Sequence, residues 1–310
     1  MSTANLIAQK GLASLSNLLL IIFINVENLH FAVIYAKIIK NSPMRRIEKR
    51  KNLKILIIGD VTGTGGIAHL KDTLWSVIKR EGVDFVIVNG ENASFINGIS
   101  PDGAEELFLA GADVITGGNH TLQNKSAYSY LDENENALRP INFPGEAPGR
   151  GWCIREAKNG YRVLVINAMG NVNIEPLLDS PYPYIDRALK EAEGKYDVSV
   201  LDFHAEATGE KGAIAYNYDG RISVIFGTHT HVPTADARIL PCGTGFITDV
   251  GMCGESGGIL GMDSQSVIEK MKTRLPSRFK AASGDVIANA ALFTVDTKTG
   301  KATEVKRFDF

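Results

Sequence analysis

The segments LKILIIGD (53–60), VDFVIVNGEN (83–92) and ADVITGGNH (112–120) decide the fold. In each, a short apolar run ends on glycine and is followed, within about two residues, by a side chain able to bind metal. VSVLDFH (198–204) and ISVIFGTHTH (222–231) also end on such side chains. Short apolar runs with boundaries of this kind are typical of buried strands in parallel or mixed sheets. We therefore expect an α/β protein.

The polar residues that follow these runs are expected to meet at one edge of a sheet, because ligands collect at the carboxyl ends of strands in open α/β folds. They offer oxygen and nitrogen donors without thiolates, a set that suits manganese, iron or zinc better than magnesium. Glu91 stands where a carboxylate bridging two cations would lie. The candidate ligands are Asp60, Glu91, Asn92, Asn119, His204, His229 and His231.

Plainer interpretations of single residues remain open. Asp60 could cap a helix, His204 could be a helix-start residue, and asparagine is a turn residue first. His229 and His231 are two apart, so on a strand they would share a face. Two carboxylates at a helix start, Glu206 and Glu210, are interpreted as structural because negative charge is favoured there.

Two further motifs suggest other functions. GTGGIA (63–68) follows a predicted strand and matches the G-x-G-x-x-A pattern of dinucleotide sites. Such a site gives no reason for histidines at several strand ends. Cys253 lies in DVGMCGESGG (249–258), a Gly-rich segment predicted to be a loop, where it could be a catalytic thiol or a small loop residue near the site.

Composition limits the partners. The 310 residues carry a net charge of -2, so no general basic field attracts nucleic acid or an anionic membrane. The three cysteines show no CxxC spacing, which favours a reducing compartment over a disulfide framework. We expect a cytoplasmic protein that binds a small substrate, and a homo-oligomer is compatible with the sequence.

Residues 1–53 do not belong to the strand pattern. Their apolar runs, LLLIIFI (18–24) and FAVIYA (31–36), are separated by polar and charged residues. A membrane span needs roughly 20 mostly apolar residues, so we expect neither a span nor a signal peptide. We interpret this extension as non-native, with Met44 as a candidate initiator, or as an accessory helix or anchor. The functional domain is expected to cover residues 54–310.

The predicted elements begin with strands at 54–59, 83–88 and 112–116, separated by helices at about 67–80 and 101–110. This βαβαβ start indicates a sheet with helices on its faces. A helix at about 124–131 is followed by a predicted loop over 139–152.

The order of the motifs resembles that of the calcineurin-like metallophosphoesterases. IIGDVTGTGG, VNGENAS, GGNHT, DFHAEATGEK and GTHTHVPTAD are similar to the YmdB-type branch, with its bacterial 2′,3′-cyclic-nucleotide phosphodiesterases. The resemblance runs from Lys54 to the C-terminus and implies a two-sheet αββα sandwich. It also implies a metal-dependent hydrolase of phosphodiesters, most specifically 2′,3′-cyclic nucleotides.

The resemblance assigns a role to each candidate residue. His120 would be the general acid, protonating the leaving alkoxide after attack on phosphorus by a hydroxide held between two metals, iron or manganese. Glu91 would bridge the two ions. A regulatory protein that keeps the metal site but acts mainly through partners is the alternative. The first ion would be held by Asp60, Glu91, Asn92 and His231, and the second by Glu91, Asn119, His204 and His229.

The chain departs from the family pattern at three places. Thr62 stands where most of the superfamily has the histidine of D-x-H, a change that this branch tolerates. Ile67 replaces the arginine of a Gly-Arg pair, and Leu122-Gln123 replaces Trp-Asp after GNHT. None is an expected ligand, but the last two are expected near the substrate pocket.

Overall fold

The first strand is buried on both faces, which places it inside a layered core. β1 (Asn52–Ile58) directs Leu53, Ile55 and Ile57 to one face. Leu56 and Ile58 lie on the other face, as the two-residue period of a strand requires. The structure, a computed structural model, describes residues 51–94, 98–276 and 280–310.

The first sheet has seven strands in the described part of the chain. They are β1, β2 (Asp60–Val61), β3 (Phe85–Asn89), β4 (Val114–Thr116), β11 (Met252–Glu255), β12 (Val286–Asp296) and β13 (Lys301–Asp309). Their order is β2-β11-β12-β1-β3-β4, with β13 beside β12. β1, β3 and β4 run parallel, so their carboxyl ends lie at the same edge.

The second sheet has six strands, again counted over the described residues. They are β5 (Trp152–Glu156), β6 (Arg162–Met169), β7 (Val198–His204), β8 (Val224–Thr228), β9 (Arg238–Ile239) and β10 (Gly245–Ile247). Their order is β5-β6-β7-β8-β10-β9. β6, β7, β8 and β10 run parallel, so β7 and β8 also end at a common edge.

Helices cover the outer face of each sheet. The α-helices of the described residues are α1 (Gly63–Glu81), α2 (Pro101–Ala110), α3 (Tyr128–Glu133), α4 (Pro181–Glu191), α5 (Thr208–Asn217) and α6 (Ser264–Thr273). α1 and α2 pack on the first sheet through residues such as Leu70 and Leu107. α4 and α5 pack on the second sheet through residues such as Ile185 and Ile214.

A third apolar cluster fills the space between the two sheets. Ile57 and Ile87 of the first sheet join Val165, Val200 and Phe226 of the second in this cluster. The layers are therefore helix, sheet, sheet, helix, which confirms the predicted αββα sandwich. Lys49–Phe310 forms one compact unit. The N-terminal extension is predicted over residues 1–53, of which 1–50 lie outside the described residues, while Asn52 and Leu53 belong to β1. In the described ranges no helix has both the length and the hydropathy that a membrane span needs.

Three local predictions are wrong. The predicted helix at 124–131 is interrupted, because the side chain of Asn124 accepts hydrogen bonds from Ser126 and forms a 3₁₀ turn over Lys125–Ala127 before α3 begins. The loop predicted over 139–152 ends one residue earlier, since Trp152 begins β5. The Gly-rich segment 249–258 contains β11, which pairs with β2 on one side and β12 on the other.

Candidate metal centre

The structure brings the candidate ligands together where the strands of both sheets end. Ligand atoms of Glu91, His204 and His229 lie within 4.8 Å of one another. Those of Asp60, Glu91 and His231 form a second such group. Glu91 belongs to both groups, so its carboxylate is the one point where the two sets of donors meet.

Glu91 is held at the centre by polar contacts on both oxygens. Its Oε2 lies 3.1 Å from Nε2 of His204. Its Oε1 accepts a hydrogen bond of 2.8 Å from Nδ2 of Asn92 and lies 3.3 Å from Nδ1 of His120. Gly118 lies so close that a β-carbon there would collide with Glu91 and His204. The carboxylate and imidazole can therefore meet only because this position is glycine.

Asp60 supplies the clearest sign that a cation belongs here. Oδ2 accepts the backbone N–H of His229 at 3.1 Å. Within the described chain, Oδ1 is buried and has no hydrogen-bond partner. Burial also raises the pKa of this carboxyl well above its ordinary value. A buried carboxylate oxygen without a hydrogen bond is costly. Nδ1 of His204 lies 3.8 Å from this oxygen, beyond hydrogen-bond distance, and a bound cation would satisfy it. The alternative of a helix cap is wrong, because Thr62 occupies the N-cap of α1.

The two histidines of GTHTH reach the site through a turn. β8 ends at Thr228, and His229 and His231 have φ values of 99° and 62°. Both residues therefore lie beyond the strand, where a shared strand face does not apply, and they reach the donor groups from the end of β8. The turn is anchored from below by the buried ion pair of Lys211 and Asp249, 2.7 Å apart. Asp249 also accepts the backbone N–H of Thr230 at 3.1 Å.

In each of these two imidazoles, the ring nitrogen that points away from the donor groups lies close to an oxygen atom. Nε2 of His229 lies 3.2 Å from Oε2 of Glu206. Nδ1 of His231 lies 3.1 Å from the carbonyl oxygen of Leu260. Metal-binding histidines commonly donate their second N–H to a carboxylate or carbonyl. His229 Nδ1 and His231 Nε2 are thereby left for the centre.

The purely structural interpretation of Glu206 and Glu210 holds only in part. Glu210 accepts the backbone N–H groups of Asn171 and Val172, so it anchors a loop. Glu206 lies before α5 and contacts His229 instead. No sequence pattern signals this contact, because the two residues lie on different loops.

The remaining predicted residues line the same centre. Oδ1 of Asn119 lies 3.0 Å from Nε2 of His204. The amide of Asn92 stands between two imidazoles, with Oδ1 3.0 Å from Nδ1 of His120 and Nδ2 3.4 Å from Nε2 of His231. The His120 side chain is 26% exposed, unlike the fully buried His204. His120 is therefore accessible to a molecule that arrives from solvent, and His229, with 19% of its side chain exposed, is the less accessible of the two.

Burial and neighbouring charges shift the pKa values of the groups at this centre in opposite directions. Burial favours neutral His204, but Glu91 and Asp60 outweigh it and raise the pKa of His204 to about 9. Burial would raise the pKa of Glu91, yet His204 and His120 lower it well below its ordinary value. Burial and the charge of His204 lower the pKa of His229 to about 3.

A buried polar network beneath the histidines was not anticipated. Asp202 accepts hydrogen bonds from Asn89, Thr116 and Thr228, and burial raises its pKa to about 6. Thr228 in turn lies 2.9 Å from Nδ1 of His204. The sequence does contain a signal for this network. Asp202 lies inside the apolar run VSVLDF, and a buried carboxylate in a strand needs hydrogen-bond donors.

The structure argues against both a dinucleotide site at GTGGIA and a catalytic thiol at Cys253. Helix α1 already begins at Gly63, so no glycine loop precedes it to cradle a pyrophosphate. Cys253 is fully buried, and burial raises the pKa of its thiol above the ordinary value, which disfavours the reactive thiolate. Thr62, at the position of the superfamily histidine, is buried with its hydroxyl directed to the carbonyl of Cys253.

A cavity of about 590 Å³ lies between the start of α1, the start of α2 and the segment that follows His120. Ala93, next to the candidate ligand Asn92, forms part of its wall. Ile67 and Gln123, two positions where the chain departs from the family pattern, also line it. Leu122 instead packs against the core under the first sheet. The cavity therefore includes a chain neighbour of a candidate ligand, and two of its lining residues differ from the family pattern.

Two face-to-face sheets with helices outside, and polar side chains gathered at the strand ends, define the calcineurin-like class of phosphoesterase folds. The chain belongs to the YmdB-like family, whose model matches residues 56–308. The predicted family and the phosphoesterase class are thereby confirmed.

Known relatives cover nearly the whole described chain. The chain is 42% identical to the 2′,3′-cyclic-nucleotide 2′-phosphodiesterase of Bacillus subtilis (strain 168), over 82% of this chain and 96% of that protein. A crystal structure of a novel phosphatase from Mycoplasma pneumoniae superposes with a TM-score of 0.78 at 32% identity, covering 84% of this chain and 93% of the other. A hypothetical protein from Thermus thermophilus gives a TM-score of 0.77 at 36% identity, covering 83% of this chain and 99% of the other.

Proposed function

We propose that the protein is a two-metal phosphodiesterase that hydrolyses 2′,3′-cyclic nucleotides. The observation that carries this proposal is the position of Glu91 in both donor groups. A shared carboxylate is the arrangement that holds two cations close enough to act on one phosphoryl group. The name of the Bacillus subtilis relative supports the substrate.

The donor chemistry fits two transition metals. Asp60, Glu91, Asn92 and His231 would hold one ion, and Glu91, Asn119, His204 and His229 the other. Mixed nitrogen and oxygen donors suit iron or manganese. Such ions, when bound, supply Lewis-acid polarisation of the phosphoryl group and an activated water.

His120 would supply the proton that the leaving oxygen needs. In the proposed reaction, oxygen from water forms a bond to phosphorus and the bond from phosphorus to O2′ breaks. O2′ takes a proton from His120, and the product is a nucleoside 3′-phosphate. The proton that the water loses passes to solvent, and His120 regains a proton from solvent. The contact with Asn92 fixes the imidazole ring, while its partial exposure leaves it accessible to substrate.

The organic part of the substrate would occupy the cavity of about 590 Å³. Its walls combine the apolar side chain of Ile67 with the polar side chains of Ser100, Gln123 and Lys125. A nucleoside offers both kinds of surface. The proposed location is the cytoplasm, which the three free cysteines support.

The test is hydrolysis of 2′,3′-cyclic AMP by protein loaded with manganese, with products separated by chromatography. We expect the 3′-phosphate, and loss of turnover after chelation. A chromogenic phosphodiester and elemental analysis run in parallel complete the experiment. Full metal content without turnover on either ester would reject the enzyme and favour the regulatory alternative.

A further inference from the structure

We propose that Asp202 is a positioning residue that fixes the tautomer of His204 through the hydroxyl group of Thr228. Oγ1 of Thr228 lies 2.7 Å from Oδ1 of Asp202 and 2.9 Å from Nδ1 of His204. All three side chains are fully buried, so water does not compete for these contacts. The inference rests on the proposed metal site, to which His204 would contribute Nε2.

We call the chain of hydrogen bonds from Asp202 through Thr228 to His204 the relay. The number of available hydrogens determines the direction of its hydrogen bonds. A threonine hydroxyl has a single hydrogen to donate. On its other oxygen, Oδ2, Asp202 accepts from Thr116 at 2.5 Å and from Asn89 at 2.9 Å. A carboxylate surrounded by donors acts as an acceptor, so the hydrogen of Thr228 points to Oδ1. Only a lone pair of Thr228 then faces His204, and Nδ1 of His204 must carry the hydrogen.

The consequence appears at the opposite nitrogen of the ring. Nε2 of His204 faces Glu91 at 3.1 Å and Asn119 at 3.0 Å, on the side of the donor groups. A metal ligand must present an unprotonated nitrogen. In neutral imidazole, a hydrogen fixed on Nδ1 leaves a lone pair on Nε2. The relay therefore selects the form of His204 that binds a cation.

Two threonines provide a matched pair of variants. Thr116 and Thr228 are both buried, and both donate a hydroxyl hydrogen to Asp202. Only Thr228 also contacts His204. Thr228→Val and Thr116→Val thus make the same chemical change, but only the first interrupts the relay. Thr228→Ser keeps the hydroxyl group.

Asp202→Asn should reverse the relay without removing bulk. Asn89 and Thr116 both donate towards Oδ2, so the new amide would place its carbonyl oxygen there. Its NH₂ group would then face Thr228, whose hydroxyl would donate to Nδ1 of His204. The favoured tautomer would carry its hydrogen on Nε2, directed at the metal position.

The experiment measures the dissociation constant of Zn²⁺ by competition with a chromogenic chelator. We expect Thr228→Val and Asp202→Asn to bind about 10–100-fold more weakly, with Thr116→Val and Thr228→Ser within about threefold of wild type. Thermal unfolding of each metal-free variant verifies the fold. In the Zn²⁺-loaded wild type, the ¹⁵N spectrum should show His204 protonated on Nδ1.

An unchanged affinity for Thr228→Val, or an equal loss for Thr116→Val, overturns the relay. A His204 ring protonated on Nε2 in the Zn²⁺-loaded protein overturns it as well. A wild-type protein that binds no Zn²⁺ would reject the metal site itself, and with it the proposed function. The two failures are therefore distinguishable.

Discussion

Oε2 of Glu91 and Nε2 of His204 lie 3.1 Å apart, and both side chains are withdrawn from solvent. In the metal-free protein this is an ion pair, since the pKa of Glu91 is lowered and that of His204 is raised to about 9. The same two atoms belong to a candidate donor group. A metal ion and a proton therefore compete for Nε2 of His204.

The first prediction is a pH dependence of stability in the chelated protein. The pKa of His204 is about 9 when folded, against an ordinary value of 6.5. Its contribution is therefore fully present below about pH 6.5 and is lost as the pH rises through about 9. We expect the free energy of unfolding to fall by a few kcal/mol over this interval, measured by urea denaturation with a chelator present.

His204→Gln is the control for that experiment, because it removes the titrating group. Its free energy of unfolding should change much less between these pH values. A wild-type free energy that stays flat or rises would show that His204 is not charged in the metal-free fold.

The second prediction concerns the contact between Glu206 and His229. Glu206→Ala removes the oxygen 3.2 Å from Nε2 of His229 and should weaken Zn²⁺ binding by about tenfold. We expect this lower end of the roughly 10–100-fold loss in affinity that follows removal of such a contact, because Glu206 is 48% exposed. Glu210→Ala is the matched control, since Glu210 anchors backbone amides and has no hydrogen bond or ion pair with an imidazole of the described residues. Equal affinities for the two variants would remove Glu206 from the site.

The third prediction tests His120 as the general acid. His120→Ala should keep both metals while turnover of 2′,3′-cyclic AMP falls by about 10²–10⁴, or roughly 3–5.5 kcal/mol at the barrier. The loss should be smaller for a nitrophenyl ester, because nitrophenolate departs without a proton. Turnover on both substrates and metal content would be measured together.

His69→Ala provides a control for loss of an imidazole elsewhere, since His69 lies on α1 and contacts the carbonyl of Phe310. It should leave both rates unchanged. An equal loss for His120→Ala on both esters, or loss of metal, would exclude His120 from the acid role.

Much of the fold follows from the sequence because each central strand is an apolar run buried on both faces. The runs ending at Ile58, Asn89 and Thr228 form strands and place polar residues just beyond them. β11 was missed because glycine has weak strand propensity. Its place is decided by pairing with β2 and β12, which no local pattern records.

The candidate ligands could be named from sequence, but the contacts that orient them could not. Asn89 and Asp202 are 113 residues apart in the chain and share a hydrogen bond in the core. Likewise, the turn that carries His229 and His231 at positive φ is hydrogen-bonded through Thr230 to Asp249 of a buried ion pair. Such contacts arise only when the two sheets pack together.

The most direct measurement is the metal content of Glu91→Ala by elemental analysis, after loading with manganese. Because Glu91 belongs to both donor groups, this variant should lose both ions. His231→Ala and His229→Ala should each lose mainly one, and circular dichroism verifies that all three variants fold. A folded Glu91→Ala protein that still holds about two ions, or loses only one, would contradict the shared two-metal centre.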